Sequence, residues 1–248
     1  NTLDGGAGSD ILRGGAGSDA LVFDANDLLV DGGSGTDTLE ATGDVDLTAV
    51  DDALIQNVEV IDLSQAAGNV AVSVLASDVA AINDTKTLTI DGDTGDGARL
   101  VGPWVQGNTA NNYTTYTLDG STVNVKSDVT VTLLGTTGRD VFTAGSGSQS
   151  LEGGAGGDVL DGGGGADTLS GGTGEDRLVW DAGDTSIDGG SGTDTIELQS
   201  TGTTVDLTQG GGPVIKDIER WDITGNGNNT LVIGADQVQA MSTETNTL

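Results

Sequence analysis

Apolar residues recur at every ninth position in two stretches of this chain. In the first they are Leu12, Leu21, Val30 and Leu39; in the second, Phe142, Leu151, Leu160, Leu169, Leu178, Ile187 and Ile196. The pattern reads as a strand of about three residues with one inward side chain, followed by about six residues of turn. Between and beyond these stretches Val, Ile, Leu and Thr alternate with polar residues over many short segments, which predicts further strands. Short helical turns are predicted at 51–56, 77–82 and 235–241. A hairpin is predicted over 116–125, turning at Asp119-Gly120.

The turns obey the same period. Counting in nines from Gly5, position one is Gly5, Gly14 and Gly32, then Gly135, Gly153, Gly162, Gly171 and Gly189. Position two is Gly6, Gly15 and Gly33, then Gly154, Gly163, Gly172 and Gly190. Position four is Gly8, Gly17 and Gly35, then Gly138, Gly147, Gly156, Gly165, Gly174, Gly183 and Gly192. Its one exception is Asn26, the next most tolerant residue of a left-handed backbone. Position six is Asp10, Asp19 and Asp37, then Asp140, Asp158, Asp167, Asp176 and Asp194. These constraints hold over two separated blocks, which excludes chance.

Two nonapeptides close one flattened coil, and coils stack in parallel about 4.8 Å apart. Turns of alternate units then lie one above the other on the same edge, with apolar side chains pointing inward from both walls. Carbonyls of the glycine turns and the aspartate carboxylates face the gap between stacked turns. That gap offers only oxygen ligands at flexible spacing, a cage suited to the hard cation Ca²⁺ and too loose and dry for Mg²⁺. About six such gaps would bring roughly +12 of charge. One Leu-sized side chain per nine residues does not repay the ordering of a glycine-rich backbone. Metal binding is therefore expected to be part of the folding free energy, and the blocks to be disordered without calcium. Two units break the pattern alike, Phe23-Asp24-Ala25-Asn26-Asp27 and Trp180-Asp181-Ala182-Gly183-Asp184. Either Asp24, Asp27, Asp181 and Asp184 replace the missing position-six carboxylate, or these are polar turns with an aromatic plug over a thin core.

Composition narrows the chemistry. The chain has 248 residues, 39 acids and 8 bases, a formal charge of −31. Nucleic acid and anionic membrane are poor partners for such a surface. No cysteine and no histidine is present. That removes disulfides, thiolate chemistry, the usual general base and the zinc sites of metalloproteases. No apolar run approaches membrane-spanning length. Asp51-Asp52 could be imagined as a glycosidase dyad, but in so acidic a chain it reads as a solvated face, and the chain is expected not to be an enzyme.

The nonapeptides sit inside a longer repeat. Segment 28–40 matches 185–197, VDLT recurs at 45–48 and 205–208, 58–64 matches 218–224, and 83–88 matches 243–248. Two domains are therefore expected, 1–134 and 135–248, each a roll continued by further strands along the same stacking axis, since the last coil offers an open edge. The first copy has an extra stretch, 91–134, with Trp104, Tyr113 and Tyr116. These aromatics read as a sugar-binding platform or as a hydrophobic edge cap. The loop at 91–97 reads as another calcium turn or as an ordinary acidic turn. Asn1-Thr2-Leu3-Asp4 corresponds to 158–161 of the second block, so the chain reads as an excerpt that begins inside a repeat.

The G-G-x-G-x-D-x-U-x unit, U being apolar, is itself known as a calcium-binding repeat, and these motifs resemble the RTX (repeats-in-toxin) proteins. The resemblance covers 1–40 and 135–197. It implies an all-β parallel β-roll or β-solenoid, type I secretion, and folding on meeting extracellular Ca²⁺. It also implies that the position-six aspartates and the glycine-turn carbonyls are the ligands. The carry-over stops at Leu28, Gln149 and Thr185, where the aspartate is missing. The flanking segments resemble those between RTX blocks of large bacterial adhesins. The expected role is thus a spacer or assembly segment of a secreted, cell-surface adhesin, with calcium ions and neighbouring domains of the same long chain as partners. The alternatives are the noncatalytic calcium module of a secreted enzyme, for example a polysaccharide-modifying one, and a surface-layer subunit. Ice binding is excluded, because position seven (Ile11, Ala20, Leu29, Thr38) lacks a regular row of Thr or Asn.

Overall fold

A strand three residues long is held only if neighbours bond it on both sides, and this chain supplies them by winding. The computed structural model describes residues 1–210, 212–225 and 227–241. The match of 243–248 to 83–88 lies outside these. The fold is all-β and the strands of the rolls are parallel. The chain divides into two units, Asn1–Thr132 and Leu133–Leu248.

In the first unit one wall stacks Thr2–Asp4, Ala20–Phe23, Thr38–Ala41, Val60–Asp62 and Thr87–Asp91. Its register aligns Leu3, Leu21, Leu39, Ile61 and Ile90 in one inward column. The facing wall stacks Ile11–Ala16, Leu29–Ser34 and Ile55–Gln56, with Leu12, Val30 and Ile55 in register. The stacking thus continues past the last nonapeptide. A second short ladder, Val45–Asp46, Ala71–Leu75 and Gly97–Val101, aligns Val45, Val72 and Ala98. Almost every inward residue of these columns is fully buried.

The second unit repeats the plan. Phe142, Leu160, Leu178, Ile196 and Trp221 form one column, and Leu151, Leu169, Ile187 and Ile215 the other. Thr204–Asp206 pairs in parallel with Thr230–Val232, followed by the helix Ala235–Met241.

Two expectations need correction. No helical turn forms at 51–56. Asp51 accepts the Ala53 N–H at 2.9 Å in a tight turn, and Ile55–Gln56 is a strand, because pairing with Leu29–Ser34 buries Ile55. The strands of one wall in each roll are longer than three residues. Ile11–Ala16, Thr168–Gly174 and Ser186–Gly192 run on into the glycines, so that Gly15 pairs with Gly33 and Gly172 with Gly190. Residues without side chains let the ladder continue where a bulkier turn would peel away. In the loop at 91–97, Asp96 accepts from Val70 N–H at 3.1 Å and Asp93 N–H at 2.8 Å, and Asp91 accepts from the Tyr113 hydroxyl at 2.5 Å. The Asp91 and Asp96 carboxylates are thus engaged by the protein's own donors, as in an ordinary acidic turn.

The hairpin forms as Tyr113–Leu118 against Ser121–Lys126. Asp119 (φ 51°) and Gly120 (φ 82°) both have the positive φ that a two-residue type I′ turn requires. Val105–Ala110 adds a third antiparallel strand through Asn111-Asn112, likewise at positive φ. Ser121–Lys126 pairs in parallel with Thr87–Asp91, covering the edge of the first wall. Trp104 and Tyr116 are buried, and the Trp104 indole N–H donates to the Val101 carbonyl at 3.1 Å. They are core residues and form no sugar platform. Trp104→Ala is expected to cost about 3–5 kcal/mol in urea unfolding of the calcium-saturated chain.

Candidate metal centre

The glycines of each turn are required for two distinct physical reasons, both visible where Gly14–Asp19 stacks beneath Gly32–Asp37. Gly15 (φ 98°) and Gly17 (φ 108°) hold a backbone that side chains resist. Above them, a Cβ on Gly33 would strike the Gly15 carbonyl, and one on Gly35 the Gly17 carbonyl. Those carbonyls therefore project into the gap between turns. At position one the conformation is unremarkable but the space is not. A Cβ on Gly14 would lie 2.5 Å from the Gly32 carbonyl and 2.8 Å from Asp19 Oδ2. The same cradle recurs at Gly153 with the Gly171 carbonyl (2.5 Å) and Asp158 Oδ2 (2.7 Å), and at Gly171 with the Gly189 carbonyl (2.5 Å) and Asp176 Oδ2 (2.5 Å).

The position-six aspartates form a ladder of their own. Oδ1 of Asp37, Asp158, Asp167, Asp176 and Asp194 accepts the backbone N–H of the corresponding residue one coil below. Asp19 N–H donates to Asp37 at 2.8 Å, Asp140 to Asp158 at 2.7 Å, Gln149 to Asp167 at 2.7 Å, Asp158 to Asp176 at 2.7 Å, and Asp176 to Asp194 at 2.8 Å. Asn1 serves Asp19 in the same way at 2.7 Å. The other oxygen, Oδ2, is buried and has no hydrogen-bond partner in Asp10, Asp19, Asp37, Asp158, Asp167, Asp176 and Asp194.

A buried carboxylate oxygen without a donor is costly unless a proton or a cation meets it. Burial accordingly raises the carboxyls of Asp158, Asp167 and Asp176 above the usual range. It pushes Asp194 to about 6 and Asp184 to about 7. Such groups hold protons in the fold at pH values where the unfolded chain has lost them. For Asp194 and Asp184 the contribution to metal-free stability is thus complete below the unfolded value of 3.8 and lost as pH rises through about 6 to 7. Chelated protein is expected to gain strand signal when acidified from about pH 8 to about pH 5. With calcium the dependence reverses, because ion and proton compete for the same oxygens. Far-UV circular dichroism under both conditions checks this, and a flat metal-free response contradicts it.

The donors fit calcium. Among the described residues no cluster of three or more His, Cys, Asp and Glu side chains forms. An ion in the gap would instead be held by turn carbonyls and one or two carboxylates, the mixed oxygen set that Ca²⁺ accepts at flexible geometry. In the gap above Gly14–Asp19 these are the Gly15, Gly17 and Gly32 carbonyls with Asp19 and Asp37.

Several expected ligands depart from this arrangement. Asp140 Oδ2 is occupied by the Thr136 N–H (2.6 Å) and hydroxyl (2.9 Å), because position two of that unit is threonine. In the two irregular units the aspartates divide their roles. Asp24 and Asp181 accept from the Asn26 N–H (2.8 Å) and Gly183 N–H (2.7 Å) of their own turns. Asp27 and Asp184 are buried and each leaves Oδ1 unpartnered. Only the second member of each pair thus resembles the position-six residues. Gln149, where the carry-over stopped, also has a buried unpartnered oxygen, Oε1, in the same place. A glutamine carbonyl is a weaker but acceptable calcium donor, so Gln149 can serve without the missing carboxylate.

A family model described as RTX calcium-binding nonapeptide repeat (4 copies) matches residues 1–27, 132–148 and 143–178. The chain carries RTX calcium-binding repeats. No curated protein matches it. The RTX blocks make it a calcium-binding structural module, and the row of unpartnered Oδ2 atoms lies inside them. The RTX match ends at residue 178, whereas Asp184 and Asp194 continue the same geometry to the end of the second roll.

Proposed function

We propose that this chain is a noncatalytic spacer or assembly segment of a secreted bacterial surface adhesin, and that its RTX blocks fold on meeting extracellular calcium. The observation that carries the reading is the file of buried carboxylate oxygens without donors, which makes the metal-free rolls electrostatically incomplete. A calcium-poor cytoplasm would keep such a chain unfolded and exportable, and calcium outside would close it. A chain with no histidine and no cysteine, and with a formal charge of −31, suits a passive, solvated element of a larger surface protein.

Calcium titration of the whole chain, followed by calorimetry and small-angle scattering together, tests this reading. The expected result is uptake of several ions per chain with concurrent compaction. Compaction complete before any ion binds would refute coupled folding. Attachment of cells expressing the parent surface protein, with and without this segment, tests the adhesin role; equal attachment would count against it.

A further inference from the structure

The nonapeptides stop at Glu40 and Glu197, yet the coil that follows each of them preserves the chemistry of a calcium turn. In the first unit Asn57, at φ 52°, places its carbonyl over Gly32, where a glycine carbonyl would otherwise lie. Glu59 Oε2 accepts the Asp37 N–H at 2.9 Å, the position that the next aspartate Oδ1 fills lower in the roll. In the second unit Asp217, at φ 48°, places its carbonyl over Gly189, and Glu219 Oε2 accepts the Asp194 N–H at 2.9 Å. Beneath these coils Asp37 and Asp194 are 0% exposed, and Oδ2 of each has no partner. Asp194 Oδ2 lies 2.8 Å from the point where a Gly189 Cβ would sit, the point the Asp217 carbonyl also crowds.

We infer that each roll ends in a closing calcium site that the nonapeptide motif does not encode, formed by Asp37, the Asn57 carbonyl and Glu59 in one unit, and by Asp194, the Asp217 carbonyl and Glu219 in the other. Capping the last N–H needs only an acceptor, which a glutamine would supply without charge. A glutamate there instead sets a second carboxylate against the same gap as the buried Asp37 or Asp194, and like charges at such an approach need a cation between them. The longer glutamate side chain reaches the gap from a turn three residues shorter, Asn57-Val58-Glu59 replacing the six residues Gly32–Asp37. The same substitution in both units makes it a property of the roll's end. An ion there would bind the final coil to the roll and so protect the edge that the nonapeptides leave open.

The inference rests on calcium binding by the nonapeptide turns, and the test separates the two. Calcium bound per chain is measured by native mass spectrometry on the full chain, for the wild type, Glu59→Gln, Glu219→Gln and the double variant. Glutamine keeps the acceptor for the Asp37 and Asp194 N–H groups, so the coil remains capped; circular dichroism in calcium verifies the fold. A glutamine oxygen carries no charge and holds calcium more weakly, so at a calcium concentration that just fills the wild type each single variant is expected to bind one ion fewer and the double variant two fewer. If the double variant does not fold, the single variants decide. Unchanged counts against a calcium-loaded wild type overturn the closing sites alone. A wild type that binds no calcium overturns both them and the reading beneath them.

Discussion

Removing calcium with a chelator at neutral pH is expected to abolish most of the strand signal of the rolls and to expand the chain severalfold in volume. Each roll buries one column of side chains per wall, with a single apolar residue in every nine, and the glycines that make the turns possible gain more freedom on unfolding than any other residue. In the folded rolls the metal-free gaps hold Asp19, Asp37, Asp158, Asp167, Asp176 and Asp194 with one bare buried oxygen apiece. A formal charge of −31 repels itself throughout. Nothing in the columns offsets that. Restoring calcium should restore the signal, whereas magnesium should not, because it demands near-octahedral, hydrated coordination that a dry gap lined by fixed carbonyls does not offer. Far-UV circular dichroism and scattering, with and without chelator, make the comparison. An unchanged strand signal in chelated protein would sink the argument.

A single methyl group at Gly190 should do nearly as much damage to the second roll. The residue sits at φ 91°, and its absent Cβ would overlap the Gly172 carbonyl of the coil below. Gly190→Ala therefore adds backbone strain and also pushes apart two turns whose carbonyls line the gap. The cost is expected to be about 3 kcal/mol or more, read as a rise in the calcium concentration needed for half-folding. Gly164 is the control. It lies in the same roll, its φ is not positive, and nothing lies within 4 Å of where its Cβ would be. Gly164→Ala should be neutral or stabilising by up to about 1 kcal/mol, through the unfolded state. Equal effects at the two positions would show that turn spacing does not govern stability.

The contrast between these glycines illustrates how much of the roll can be read from its letters. The nine-residue period fixes the inward column, because only Leu12, Val30 and their equivalents can face a one-residue-wide interior. The period also exposes the position-six aspartates. It also marks Gly164 as the variable third position between the fixed Gly163 and Gly165, but it does not show the carbonyl that each fixed glycine meets in the stacked turn. Nor does it separate Asp24 from Asp27. Both are acids in an irregular unit, and the fold alone turns one toward its own backbone and buries the other. In the sequence Trp104 and Tyr116 fit either a sugar platform or an edge cap, and only their burial in the fold makes them core residues.

Local chemistry therefore settles the parallel roll, its oxygen-lined turns and their affinity for a hard cation, since every unit carries the same instructions and needs only an identical neighbour. Long-range packing decides which oxygen of each carboxylate stays bare, that Gln149 joins the file, and that Glu59 and Glu219 complete the last coil. Those outcomes depend on the residue eighteen or more places away that happens to lie above or below, and no periodicity along one turn contains that information.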